Sequence, residues 1–255
     1  MTDRVRIIQI TDCHLHGDPR LAYRGVNPYD SLNALLQKVH AINPDLLLAS
    51  GDLSEDASTA SYEALQQLFN PLAIQVLALP GNHDDDTLLA QAFPGSPVDS
   101  VQVSEHGPWQ IIRLNSSMQG KPEGRLNGDL ITGLEQVLKY QSKQPRVIAL
   151  HHQPIAIGSP WIDKYRLLQP ERFLQLVDQC PGVKAVVWGH VHEAFDAQRN
   201  GTAMLGGPSS VINSIPGVQK FTADPSGPAC RWLELKPDGS VETGIIRARV
   251  TTTTI

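Results

Sequence analysis

Along the first half of the chain, apolar runs of four to six residues alternate with stretches in which apolar side chains recur every three or four positions. That is the pattern of buried strands separated by amphipathic helices. Val5–Ile10 is rich in isoleucine and valine and reads as a buried strand that ends at the polar turn Thr11-Asp12-Cys13-His14. Asn27-Pro28 supplies an N-cap followed by proline at the first helical position, which opens a helix running to about Ile42. Residues 46–49 form a second apolar run, ending at Ser50-Gly51-Asp52. Residues 58–69 have helical spacing through Tyr62, Leu65, Leu68 and Phe69. Residues 74–79 are a third strand, ending at Pro80-Gly81-Asn82-His83.

Farther on, residues 109–114 read as a strand and residues 130–140 as a helix with Leu134, Val137 and Leu138 on one face. Residues 147–150 form a strand ending at His151-His152, and residues 171–177 are helical. Val183–Trp188 is a strand that ends at Gly189-His190. Beyond it the helical pattern stops. Asn200-Gly201 and Asp238-Gly239 are hairpin turns between strand-like segments. Alternating β and α units predict parallel strands with crossover helices, and the later hairpins add antiparallel strands. The expectation is an α/β layered sandwich forming one domain over residues 1–250, with residues 251–255 as a tail.

Composition narrows the function. The chain has 255 residues, 21 Lys and Arg against 26 Asp and Glu, and a net charge of −5. No basic cluster is visible, which argues against nucleic acid as a partner and against a polybasic membrane anchor. No apolar run approaches the ~18 residues that span a bilayer, and the N-terminus lacks the apolar core of a signal peptide. Cys13, Cys180 and Cys230 are odd in number and lack CxxC spacing, so neither a disulfide framework nor a thiolate zinc site is expected. A cytoplasmic location follows as the expectation. Nine histidines stand out, several of them beside Asp, Asn or Gly.

The chemistry gathers at strand ends. Asp12-x-His14, Gly51-Asp52, Gly81-Asn82-His83, His151 and Gly189-His190-x-His192 each follow an apolar run. Carboxyl ends of strands in an open α/β sheet collect at one edge, where ligands bind. Within D-x-H and H-x-H, residues i and i+2 point to the same side of an extended chain. One Asp or His at a strand end is more often a cap or a turn former. All of them together, each in the same context, point to a metal cluster. Oxygen and imidazole donors without thiolate suit Mn, Fe, Zn or Co.

The order D-x-H, G-D, G-N-H-D, H, G-H-x-H resembles the calcineurin-like metallophosphoesterase superfamily. QITDCHL, LLLASGDLSEDAS, LALPGNHDD, ALHHQP and WGHVHE are similar to segments of bacterial class III 3′,5′-cyclic AMP phosphodiesterases. The similarity extends from about residue 5 to 245. It implies a four-layer αββα sandwich of two mixed β-sheets flanked by helices. It implies one metal held by Asp12, His14, Asp52 and His192, and a second held by Asp52, Asn82, His151 and His190, with Asp52 bridging. His83 would face the scissile phosphate as the catalytic proton donor. The substrate would meet His14, Asp52, Asn82, His83 and His192. The implied reaction is hydrolysis of 3′,5′-cyclic AMP to 5′-AMP, with a hydroxide shared by two divalent or trivalent ions.

Two dications, two carboxylates and a hydroxide sum formally to roughly +1, which attracts a monoanionic diester and stabilises the added charge of an in-line transition state. Other phosphodiesters, such as 2′,3′-cyclic nucleotides or glycerophosphodiesters, would use the same ligands, so the motifs leave that choice open. A non-catalytic binding module with a degenerate metal site conflicts with the gap-free donor set. A DNA nuclease conflicts with the missing basic surface. The partner is then a small nucleotide, with homo-oligomerisation left open. Residues 18–27 and 208–214 are the candidates for contacts to base and ribose. His16 and His152 read as hydrogen-bonding neighbours of ligands, Cys13 as small-residue packing, and Asp84, Asp85 and Asp86 as turn-solvating and helix-capping groups.

Overall fold

The three N-terminal β–α units fold as β1 (Val5–Ile10), α1 (Pro28–His40), β2 (Leu46–Ser50), α2 (Thr59–Phe69), β3 (Gln75–Leu79) and α3 (Asp86–Ala92) in the computed structural model, which describes residues 4–140 and 144–249. The tail expected at 251–255 lies outside the described residues. Local chemistry sets the helix starts. The Asn27 side chain accepts from Asp30 N at 3.1 Å, Ser58 Oγ from Ser61 N at 3.1 Å, and Asp85 from Leu88 N at 2.8 Å. These bonds satisfy amides that the first helical turn leaves unpaired.

The chain continues through β4 (Gln102–His106), β5 (Trp109–Arg113), β6 (Gly124–Arg125), α4 (Gly128–Tyr140), β7 (Arg146–Ala149) and α5 (Pro160–Asp163). It then forms β8 (Leu167–Leu168), α6 (Glu171–Asp178), β9 (Val183–Trp188), β10 (Phe195–Arg199), β11 (Thr202–Gly206), β12 (Ala229–Leu235) and β13 (Val241–Arg247). One sheet has the order β13-β12-β1-β2-β3, the other β10-β11-β9-β7-β5-β4, and β6 pairs with β8. In the first sheet β1, β2 and β3 are parallel, and β12 and β13 add antiparallel at the β1 side. In the second, β5, β7, β9 and β11 are parallel, while β4 and β10 pair antiparallel at the edges. Both sheets are therefore mixed.

The period of two along each strand sorts apolar side chains into separate layers. Ile7, Leu46, Leu48 and Leu77 meet Ile111, Val147, Ala185 and Val187 between the two sheets. Ile8, Ile10, Leu47 and Ala49 face the other way, against Leu35 of α1 and Leu65 of α2. Ile148 and Val186 pack outward on Leu134 of α4 and Phe173 of α6. Helices, sheet, sheet and helices thus make the four-layer αββα sandwich that the resemblance implied. No helix among the described residues is long and apolar enough to cross a membrane.

Candidate metal centre

β1, β2 and β3 of one sheet and β7 and β9 of the other end at a common edge, and each runs directly into the polar residues singled out above. The turns there are sharp. Asp12, His14, Asp52, His190 and His192 all have left-handed backbone conformations, with φ of 54°, 44°, 50°, 67° and 51°. Each such non-glycine residue costs on the order of 1 kcal/mol, and strain of this kind concentrates at functional sites. Backbone bonds hold the loops together: Asp12 N donates to Gly51 O at 2.9 Å, and Gly189 N to His151 O at 3.1 Å. A Cβ on Gly51 would overlap the His151 ring, and one on Gly81 would overlap Asp52. Only glycine allows these loops to approach so closely.

Side-chain orientation is fixed from behind. His14 Nδ1 lies 2.7 Å from Glu55 Oε2, His151 Nδ1 2.9 Å from Ser50 O and His192 Nδ1 2.8 Å from Ile212 O. Each of these rings therefore turns Nε2 inward. His14 Nε2 and His192 Nε2 are 3.3 Å apart, His192 Nε2 is 3.3 Å from Asp12 Oδ1, and His151 Nε2 is 3.3 Å from Asp52 Oδ2. Asp12 Oδ2 accepts from Thr11 Oγ1 and from His190 N, which leaves Oδ1 free. Donor atoms lie within 4.8 Å of one another in the sets Asp12–His14–His192, Asp12–Asp52–His151, His14–Asp52–His83 and His151–His152–His190.

Asp12 Oδ1, Asn82 Oδ1, His151 Nε2 and His190 Nε2 are buried and have no hydrogen-bond partner. Native structures rarely leave so many buried polar atoms unsatisfied in one place. Oxygens and imidazole nitrogens that converge without partners fit divalent cations, and second-sphere bonds of the kind made to Glu55, Ser50 and Ile212 orient ligating histidines in metal sites. Protonation balances the carboxylates meanwhile. Burial opposes charge on Asp52, but His151 outweighs it and holds the carboxyl well below its usual range. Burial likewise opposes charge on His151, yet Asp52 lifts it to about 9. Burial, reinforced by His152 and His151, keeps His190 well below the ordinary histidine value.

His83 sits beside this cluster without being enclosed by it. Its Nδ1 is 3.0 Å from Glu55 Oε2, its backbone N donates to Asp52 Oδ1 at 2.9 Å, and its ring lines the cleft with Tyr23, Arg24, Pro122, Trp161 and Tyr165. Glu55 escaped the sequence reading, although its one carboxylate oxygen joins His14 to His83. His152, expected as a neighbour, bonds Ser116 Oγ through Nδ1 at 2.9 Å, while its unpartnered Nε2 points into the trio with His151 and His190. His16 stays outside these groups; its carbonyl accepts from Tyr29 Oη. Asp84 is more than a turn solvator: it accepts from Leu53 N, Ser54 N, Gly81 N and Tyr62 Oη. Cys13 packs in the apolar layer as expected, with Ser210 Oγ 3.3 Å from its sulfur.

Of the two stretches expected to face base and ribose, one lines the cleft. Tyr23 and Arg24, within 18–27, line the cleft, and Tyr23 stacks on His14 with ring centroids 3.8 Å apart. Residues 209–214 are buried behind the metal loops, where Ser209 Oγ donates to Asp12 O and Ile212 O receives His192. The other wall comes instead from Trp161 and Tyr165, with Phe221 5.2 Å from Trp161.

A sequence model of the calcineurin-like phosphoesterase family matches residues 5–194. The chain is 34% identical to the 3′,5′-cyclic adenosine monophosphate phosphodiesterase CpdA of Pseudomonas aeruginosa, over 95% of this chain and 90% of that protein. It is 34% identical to the CpdA of Escherichia coli K12, over 96% and 90%, and 34% identical to a 3′,5′-cyclic-nucleotide phosphodiesterase of Nostoc, over 95% and 92%. A dimetal phosphatase from Danio rerio superposes with a TM-score of 0.71 at 13% identity, covering 96% of this chain and 99% of that one. At that identity the likeness concerns the fold.

Proposed function

The chain belongs to the calcineurin-like phosphoesterase family, and from that membership we propose that it hydrolyses 3′,5′-cyclic AMP to 5′-AMP at a centre of two metal cations. The observation that carries the metal centre is the convergence of buried, unpartnered donors at the common edge of the two sheets. In this reading Asp12, His14, Asp52 and His192 hold one cation and Asp52, Asn82, His151 and His190 the other. Asp52 serves both, in keeping with its place in one donor set with His14 and in another with His151. When bound, the cations supply an activated water and offset the negative charge that builds on phosphorus. The substrate assignment rests on cyclic nucleotide phosphodiesterases being the relatives that match nearly the whole chain.

The chain's own residues provide orientation and proton transfer. The phosphate meets His14, Asp52, Asn82, His83 and His192 at the floor of the cleft. Attack at phosphorus breaks the bond to O3′, and that oxygen leaves needing a proton. His83 has Nδ1 engaged by Glu55, so Nε2 is the nitrogen left to donate. Burial works against charge on this ring, but Glu55 and Asp52 outweigh it and lift the imidazole to about 9.

A comparison of kcat/KM under one manganese loading tests the substrate. 3′,5′-Cyclic AMP should exceed both 5′-AMP and 2′,3′-cyclic AMP. A ratio below one against 5′-AMP would overturn the diesterase reading, and a ratio below one against 2′,3′-cyclic AMP would replace the substrate while keeping the chemistry.

A further inference from the structure

One wall of the cleft has no task in cleaving a phosphodiester. Tyr23 and Val26 exchange two backbone hydrogen bonds of 2.9 Å around Arg24 and Gly25, whose φ values are +49° and +83°. This is a two-residue turn of the primed type, in which the first central position favours Asn, Asp or Gly. Here it holds an arginine. The guanidinium of Arg24 lies 4.2 Å from the ring centroid of Phe221 and 5.4 Å from that of Tyr23, and its Nε donates to Tyr23 Oη at 3.2 Å. Among the described residues no carboxylate pairs with it.

Phe221 is also held by Trp161. Trp161 meets it edge to face, with centroids 5.2 Å apart and planes at 88°. Gly217 N donates to Ser159 Oγ at 2.8 Å, which ties the loop carrying Phe221 to the start of the helix carrying Trp161. Trp161 lines the cleft, and its Nε1 is buried without a hydrogen-bond partner.

An aromatic enclosure next to a phosphate site fits two kinds of diester substituent. A quaternary ammonium would be attracted by the ring faces. Arg24 already occupies that role and would repel a second cation. A flat, neutral nucleobase meets no such conflict: it stacks on Phe and on guanidinium alike, and it offers acceptors to an indole N–H. We propose that Arg24, Phe221 and Trp161 form a base subsite that selects nucleoside phosphodiesters over glycerol or choline phosphodiesters. This rests on the reading of the cleft as a phosphodiesterase site, and it assigns the selectivity to this aromatic enclosure rather than to the metal centre.

Calorimetric binding separates this inference from the turnover of cyclic AMP, because it needs no reaction. The manganese-loaded chain would be titrated with 5′-AMP, with ribose 5-phosphate and with glycerophosphocholine. In the wild type 5′-AMP should bind roughly tenfold or more tightly than ribose 5-phosphate, the scale of one base–aromatic stack. That ratio should fall towards one in Phe221→Ala and in Arg24→Ala, and Phe221→Trp should restore it. Equal binding of 5′-AMP and ribose 5-phosphate, a ratio that survives both alanine variants, or tighter binding of glycerophosphocholine than of 5′-AMP would overturn the subsite. Absence of cyclic AMP turnover alongside a preserved binding ratio would instead refute the proposed reaction and leave the subsite standing.

Discussion

His83 and Asn82 are neighbours in sequence with different surroundings. The Asn82 oxygen is shielded and unpartnered, whereas His83 is partly open to the cleft and anchored by Glu55. His83→Ala should therefore lower kcat while metal content stays near wild type. The loss should be smaller for a nitrophenyl diester than for cyclic AMP, because nitrophenolate departs without a proton. Equal losses would assign His83 to phosphate binding instead. Glu55 acts through His83. In the metal-free chain His83 should titrate at about 9 by NMR, above the ordinary 6.5, and Glu55→Gln should bring that value down. A pKa raised on folding adds stability that is present in full below about pH 6.5 and is lost as pH climbs through about 9. An unchanged His83 titration in Glu55→Gln would remove Glu55 from this role. His83 was legible from the Gly-Asn-His-Asp segment; Glu55 was not. Its contact with His14 spans 41 positions and exists only once two loops pack, so no local spacing announces it.

At the scale of elements, function depends on how the strand-end loops are held to one another. Asp84 is the joint between the loops after β2 and β3, receiving three backbone amides and the Tyr62 hydroxyl. Asp84→Ala would strand those amides and should cost roughly 2–4 kcal/mol, from the penalty for unsatisfied donors. Urea unfolding measures it, and a loss under ~1 kcal/mol would show that water replaces the carboxylate. The strands that feed these loops were readable because each is a continuous apolar run between polar turns; Val5–Ile10 and Val183–Trp188 coincide with the expected spans. β4 was not read, since Gln102, Ser104, Glu105 and His106 suit an edge strand with little burial. α5 and the β6–β8 pair, of two to four residues each, are shorter than any periodicity can register. The supporting place of residues 209–214 depends on contacts with Thr11, Asp12 and Cys13 in the turn after β1, which the local sequence does not encode.

Across the whole molecule, two sheets must stay in register for their strand ends to meet, because the donors come from both. Apolar packing between the sheets does most of this, and Arg231 adds a specific link. Its fully buried guanidinium, on β12 of the first sheet, donates to Asp196 Oδ1 at 2.9 Å on β10 and to Gly206 O at 3.0 Å on β11 of the second. Arg231→Ala should destabilise the chain by roughly 2 kcal/mol, because it removes a buried charged donor from the carbonyls of Phe195 and Gly206, while the exposed Asp196 carboxylate stays hydrated. A change below ~1 kcal/mol in urea unfolding would mean that apolar contacts alone hold the sheets together.

The convergence of both sheets on one centre is read most directly from metal content. After stripping and reloading with manganese, elemental analysis should give two equivalents per chain for the wild type. It should give one or fewer for Asp52→Ala, with far-ultraviolet circular dichroism unchanged. Two equivalents retained by a folded Asp52→Ala chain would contradict a centre bridged by this carboxylate.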